Sequence, residues 1–190
     1  MSTDILSIDI ETTGLDSTIH EIISIGVVHA CIKKDDTGKW IWEEKNKFYS
    51  LVKPVFTNNI DKEAMKVNLL GKKELDKAPS SHVVRSDFIE WWEESLGGKE
   101  FIVLGQNFGG FDKQFLTKFF GRFYDQMFGY HSIDTWTIGF FLQNLGLIPE
   151  STNLSLSTLS THFGEERLAH SALADAMSAL TVYVGGLNLC

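Results

Sequence analysis

The chain has 190 residues, 43% of them hydrophobic and 22% charged, with a net charge of −8. That length buries a substantial core without disulfide or metal staples, so a single domain over residues 1–190 is expected. The composition excludes a disordered or fibrous protein, no apolar run reaches transmembrane length, and the acidic balance argues against broad adhesion to polyanions though not against gripping a short strand.

Residues 5–10 alternate and are rich in Ile and Leu, which predicts a strand ending at Asp9-Ile10-Glu11. Residues 20–32 form a long β-branched run, Asp35-Asp36-Thr37-Gly38 signals a turn, and residues 40–52 continue as a strand. These make three consecutive antiparallel strands. Residues 60–69 and 80–96 read as helices, the second closed by Gly97-Gly98. A short apolar strand over 101–104 leads through Gln106-Asn107-Phe108-Gly109-Gly110-Phe111 to a helix over 112–123. Its residues Phe111, Phe115, Phe119 and Phe123 recur every four positions and need burial. A strand near 130–133, a helix over 135–145 and a short helix over 154–163 follow. The last helix spans 171–184 and ends at Gly185-Gly186. A meander followed by alternating helices and strands indicates an α/β domain with a mixed sheet. Cys31 in a strand and Cys190 at the end make no disulfide framework, and no signal-peptide pattern opens the chain. A reduced, cytoplasmic setting without membrane attachment is the expectation.

Asp9 and Glu11 stand two apart on a strand, so their side chains share a face, as two ligands of one ion require. Asp61-Lys62-Glu63 has the same wording but opens a polar helix, where acids suit the helix dipole and a solvated face. Asp112 begins a helix and, standing alone, would read as an N-cap. Asn107 is placed to pin its loop by side-chain hydrogen bonds to backbone, and Gly109-Gly110 permits tight turning. His170 and Asp175 are five apart, about 140° on a helix, so they share a site only if His170 lies ahead of the helix. His20, His29, His82, His131 and His162 lack such a context, and His162 suits a helix C-terminus. Four carboxylates gathered at one point repel one another unless divalent cations sit among them, and two such ions serve phosphodiester hydrolysis.

Residues 6–15, Leu6-Ser7-Ile8-Asp9-Ile10-Glu11-Thr12-Thr13-Gly14-Leu15, resemble the first motif of the DEDDh (DnaQ-like) 3′–5′ exonucleases, which include polymerase proofreading subunits, RNase T and oligoribonuclease. Residues 105–112 resemble the second motif and His170-Ser171-Ala172-Leu173-Ala174-Asp175 the third, so the resemblance covers nearly the whole chain. It implies the ribonuclease-H-like fold: a central mixed five-stranded sheet, an antiparallel meander plus parallel strands, flanked by helices. By the same resemblance Asp9, Glu11, Asp112 and Asp175 match the ligands of two divalent cations, and His170 matches the general base. Hard oxygen donors favour Mg²⁺ or Mn²⁺ over zinc. Thr12 and Leu15 match contacts to the terminal nucleotide, and Phe111 matches a position beside the substrate, with a core role as its alternative; Leu70 is a candidate stacking partner, and Asn107 belongs to the second-motif loop. Asn68-Leu69 stands where similar proteins often carry His-Gly, a departure in one substrate-contacting loop. Trp91-Trp92 is explained more simply by core packing.

The implied activity is exonucleolytic hydrolysis from the 3′ end of single-stranded DNA or RNA, giving nucleoside 5′-monophosphates. A polymerase-bound proofreading subunit and a catalytically silent nucleic-acid-binding or adaptor module are the alternatives, and association as a homo-oligomer or with a polymerase or repair partner is left open. The chain ends soon after its last predicted helix, an arrangement that favours a free-standing trimming enzyme over a tethered subunit.

Overall fold

A computed structural model of the protein describes residues 2–68, 70–165 and 171–190. Its frame is one sheet, built from β1 (Ser2–Thr12), β2 (Ile22–Lys34), β3 (Trp40–Leu51), β4 (Phe101–Gly105) and β5 (Phe128–Asp134). The strand order is β3-β2-β1-β4-β5. The first three strands pair antiparallel, while β4 lies parallel to β1 and β5 parallel to β4. This is the mixed five-stranded sheet expected from the sequence. Strand β1 is central, and its neighbour β4 pairs with it only at Leu6 and Ser7. Beyond that point the C-terminal end of β1 is open on the β4 side, the place where parallel strands part and sites form.

Between β3 and β4 come α1 (Lys62–Asn68), α2 (Lys72–Lys77) and α3 (Ser81–Leu96). Then α4 (Asp112–Phe120) and α5 (Tyr124–Met127) separate β4 from β5, and α6 (Thr135–Asn144), α7 (Leu156–His162) and α8 (Ala172–Leu187) complete the chain. Alternation along β1 divides the core. Leu6, Ile8 and Ile10 face an aromatic cluster with Phe88, Phe115, Phe119, Phe120 and Phe128 from α3, α4 and β5. Ile5 faces the opposite side, where Ala176, Ala179, Leu180 and Val182 of α8 pack with Leu142 and Leu159.

Three elements depart from expectation for identifiable reasons. The helix over 112–123 stops at Phe120, because Gly121 takes a left-handed conformation (φ 55°) and a short turn restarts as α5. Helix α2 is missed by hydrophobic periodicity because only Leu75 of its six residues is buried. The last helix does not end at Gly185-Gly186 but runs to Leu187. A Cβ at Gly185 would lie 2.3 Å from the Phe163 ring, so the glycines admit the end of α7 against α8 rather than break the helix. Trp92 is buried and its Nε1 donates to the Lys99 carbonyl at 2.8 Å, the packing role expected of it. No helix among the described residues is long and apolar enough to cross a membrane.

Candidate active site

Asp9 and Glu11 lie on the face of β1 that meets α8. Opposite Asp9 in the ladder stands Gly26 of β2. A Cβ on Gly26 would come within 2.2 Å of the Leu173 nitrogen and 2.3 Å of the Ala172 carbonyl carbon. The first turn of α8 therefore rests directly on bare backbone. Ser7, two residues before Asp9 on the same face, donates its hydroxyl to the Ala176 carbonyl at 2.7 Å. Ser171 caps the helix, its Oγ accepting from the Ala174 N–H at 3.3 Å. Together these contacts fix the helix where it delivers Asp175. Carboxylate oxygens of Asp9, Glu11 and Asp175 all lie within 4.8 Å of one another, with Asp175 buried and the other two half-buried.

Asp112 reaches the same strand end from the opposite layer. It is the first residue of α4 and 4% exposed. Burial pushes its carboxyl up to about 8, hydrogen bonds from its own N–H and that of Ile10 oppose the shift, and the nearby charges of Glu11 and Asp134 add to it. It stands outside the 4.8 Å group, although close enough to feel Glu11. A buried carboxyl among further carboxylates is the environment in which a divalent cation is strongly favoured. The donor set of carboxylate oxygens fits a hard cation.

The loop before Asp112 is held differently from expectation. Asn107 is the one described non-glycine residue with positive φ (53°), and its main-chain carbonyl accepts from the Gly110 and Phe111 N–H groups, both at 3.0 Å. Its side chain leaves no room at Gly110, where a Cβ would lie 2.7 Å from Asn107 Oδ1. Phe111 is half-buried, packed on Phe115 with ring centroids 5.0 Å apart. Thr12 is buried and donates to the Gly14 carbonyl at 2.8 Å, while Leu15 is 81% exposed at the tip of the following loop. Leu70 sits apart, lining a groove of about 360 Å³ with Lys53, Pro54, Ile60 and Met65. His170 lies outside the described residues. Helix α8 begins at Ala172.

Sequence reasoning missed the contacts that four residues make. Gly26 carried a signal, since a lone glycine within a β-branched strand marks a close backbone approach. Asn68 is buried and its Nδ2 donates to the Thr12 carbonyl at 2.8 Å, tying α1 to the end of β1. Asp134 caps α6 by accepting from the Trp136 N–H at 2.9 Å and also accepts from the Phe108 N–H at 3.1 Å, which anchors the second-motif loop. Gln106 donates to the Leu154 carbonyl at 3.1 Å and accepts the Thr135 hydroxyl. None of these pairings has a local spacing to announce it.

A model of an exonuclease family, RNase_T, matches residues 6–183. Among solved structures, Escherichia coli exonuclease I in complex with a dT13 oligonucleotide superposes with a TM-score of 0.69 at 17% identity, over 96% of this chain and 40% of that one. A zinc-ion-bound form of the E. coli exonuclease I–single-stranded DNA complex gives 0.67 at 18% identity, over 96% and 40%. Cell-death related nuclease 4 gives 0.69 at 17% identity, over 97% and 64%. The chain thus spans about two fifths of the exonuclease I chains it matches. Comparison with curated protein sequences finds no match. These superpositions establish a ribonuclease-H-like fold, and the family model runs from the strand bearing Asp9 and Glu11 through the helix bearing Asp175: the chain belongs to the RNase_T exonuclease family.

Proposed function

We propose that residues 1–190 act as one domain that trims single-stranded DNA or RNA from the 3′ end, releasing nucleoside 5′-monophosphates. The observation that carries this reading is the approach of Asp9, Glu11 and Asp175 to within 4.8 Å at the open end of β1, with buried Asp112 alongside. Asp9, Glu11, Asp112 and Asp175 would hold two divalent cations, Mg²⁺ or Mn²⁺, with Asp9 shared between them. Such ions, when bound, lower the pKa of a water and stabilise charge on a leaving 3′-oxygen.

The remaining work falls to this chain's own groups. His170 takes the proton of the attacking water on a ring nitrogen. It directly precedes Ser171, the N-cap of the helix carrying Asp175. Exposed Leu15 wedges against the terminal base, and Thr12 contacts the terminal nucleotide through its backbone. Phe111 and Asn107 border the strand from the second-motif loop, and Leu70 supplies a stacking surface. The oligonucleotide-bound exonuclease I structures support a single-stranded substrate, and Cys31 and Cys190, both free, suit a reducing cytoplasm.

Incubation of the purified protein and Mn²⁺ with 5′-labelled DNA and RNA oligonucleotides tests the reading. A ladder shortening from the 3′ end is expected. Internal cuts, or full activity in excess chelator, would overturn it. His170→Ala should lower turnover by roughly 10²–10⁴-fold with the fold intact.

A further inference from the structure

Beside the candidate active site, on the aromatic side of the sheet, a cavity of about 140 Å³ lies between the loop after β1, the start of α3 and α4. Its basic lining groups are His20, Arg85 and Lys118. The one acid in the lining, Glu21, is already engaged, its Oε2 accepting from the Val55 and Phe56 N–H groups at 3.0 and 2.7 Å. Arg85 makes no ion pair among the described residues, and its Nε is buried without a hydrogen-bond partner. Its guanidinium lies over the Phe119 ring, 5.4 Å from the centroid, which keeps the side chain in place from below.

A buried, unsatisfied guanidinium donor is costly and calls for an acceptor. Asp16 lies close enough to His20 and Lys118 to feel their charge, which leaves Arg85 as the basic group of the lining without an acidic partner among the described residues. The volume is below the ~300 Å³ at which small-molecule pockets begin, so it admits a compact anion rather than a nucleoside. Arginine's fork of N–H donors matches phosphate oxygens. Lys118 also donates to the Ser17 carbonyl at 2.8 Å, and His20 Nδ1 lies 3.3 Å from Thr13 Oγ1. The cavity is thereby linked to the strand end holding Asp9 and Glu11 and to the loop presenting Leu15.

We propose that Arg85, Lys118 and His20 form a phosphate-binding pocket, separate from the acidic cluster. Its ligand is a phosphate group, drawn either from the substrate strand at a position other than the bond being cut or from free phosphate. The strand-bound alternative rests on the exonuclease reading above; the binding of phosphate itself does not.

The first measurement is thermal unfolding in excess chelator, with inorganic phosphate titrated at constant ionic strength. The wild-type protein should be stabilised, and Arg85→Met, which keeps the packing on Phe119, should not. Arg85→Lys, which retains the charge, serves if the Met variant fails to fold and should bind more weakly than wild type. The second measurement compares a single-stranded hexanucleotide with the p-nitrophenyl ester of thymidine 5′-monophosphate, which carries one phosphate only. If the strand supplies the phosphate, Arg85→Met raises KM for the hexanucleotide about tenfold, as expected for a hydrogen bond to a charged group, and lowers the ratio of oligonucleotide to ester kcat/KM equally. An unchanged ratio together with phosphate-dependent stabilisation assigns the pocket to free phosphate. Equal responses of wild type and Arg85→Met to phosphate overturn the proposal. An inactive protein that still shows Arg85-dependent stabilisation overturns the exonuclease reading and leaves the pocket standing.

Discussion

The two layers that flank the sheet deliver carboxylates to the same strand end by opposite means. The α8 layer is thin at its contact: Gly26 offers no side chain, and Ala172, Ala176 and Ala179 line the helix face against the strands. Asp175 is placed by backbone lying on backbone. The α3–α5 layer is thick, with the Phe88 and Phe120 rings in contact with each other and with Phe128 of β5 at centroid distances of 4.7, 6.1 and 5.8 Å. Asp112 is placed by bulk behind it and by the Ile10 N–H before it. A thin contact transmits any added atom directly to the ligand it positions, whereas a large apolar cluster spreads the disturbance over many side chains.

Gly26→Ala is the sharpest way to break this contrast. The new methyl meets backbone at 2.2 Å, so the start of α8 has to move. A displacement near 1 Å at Asp175 should lower kcat by about 10²-fold, with a stability loss of about 1–3 kcal/mol. In the thick layer, Phe120→Leu should cost about 1.5 kcal/mol and change kcat less than threefold. Single-turnover rates and denaturant midpoints on the same preparations test both. Equal rate losses in the two variants would remove the distinction between the layers.

Asp112→Asn separates charge from placement. Without metal, a carboxyl held at about 8 is protonated in the folded state and ionised in the unfolded chain above its ordinary value near 3.8. Its contribution to stability is full below that lower value and is lost as the pH rises toward 8. In excess chelator the wild-type protein should therefore lose stability between pH 4 and 8 more steeply than Asp112→Asn. At pH 8 the variant should unfold at the higher temperature while lacking metal-dependent turnover. A variant that is less stable than wild type in chelator at pH 8 would show that the Asp112 carboxylate is satisfied by the protein alone.

Most of the frame was legible because periodicity reports which face of an element is buried. The alternation over residues 5–10, the β-branched run of β2 and the four-residue phenylalanine spacing of α4 each give one solution. The Asp9, Glu11 and Asp175 convergence was legible only through motif order, since no local rule brings residues 166 positions apart together. Gly185-Gly186 misled because glycine pairs serve helix ends and close helix packing alike, and only the position of Phe163 decides between them. Asn68 and Asp134 were opaque for a different reason. Each satisfies a main-chain group on another element, and such polar contacts leave no hydrophobic pattern behind.

Asn68→Ala measures the contact that stands where similar proteins often carry histidine. It leaves the Thr12 carbonyl without its donor, with an expected loss of about 1 kcal/mol in stability. Because Thr12 borders the proposed terminal nucleotide, KM should rise several-fold while kcat is held within a factor of two. A fall in kcat with KM unchanged would place Asn68 in support of the carboxylates rather than of the substrate.

The smallest effect is expected where the motif wording repeats without the geometry. On strand β1 two residues advance through a full pleat, so Asp9 and Glu11 share a face. Asp61 lies ahead of α1 and Glu63 within it, so the two share no strand face. Asp61 Oδ1 accepts from the Glu63 N–H at 2.8 Å at the mouth of α1, and Glu63 pairs with Lys66 at 2.7 Å in full view of solvent. An exposed pair of this kind contributes little, so Glu63→Gln should shift stability by less than about 0.5 kcal/mol and leave metal-dependent turnover at the wild-type rate. Glu11→Gln makes the same chemical change within a cluster of carboxylates and should abolish that turnover. If Glu63→Gln were the more damaging of the two, placement on a shared strand face would not be what distinguishes the pairs.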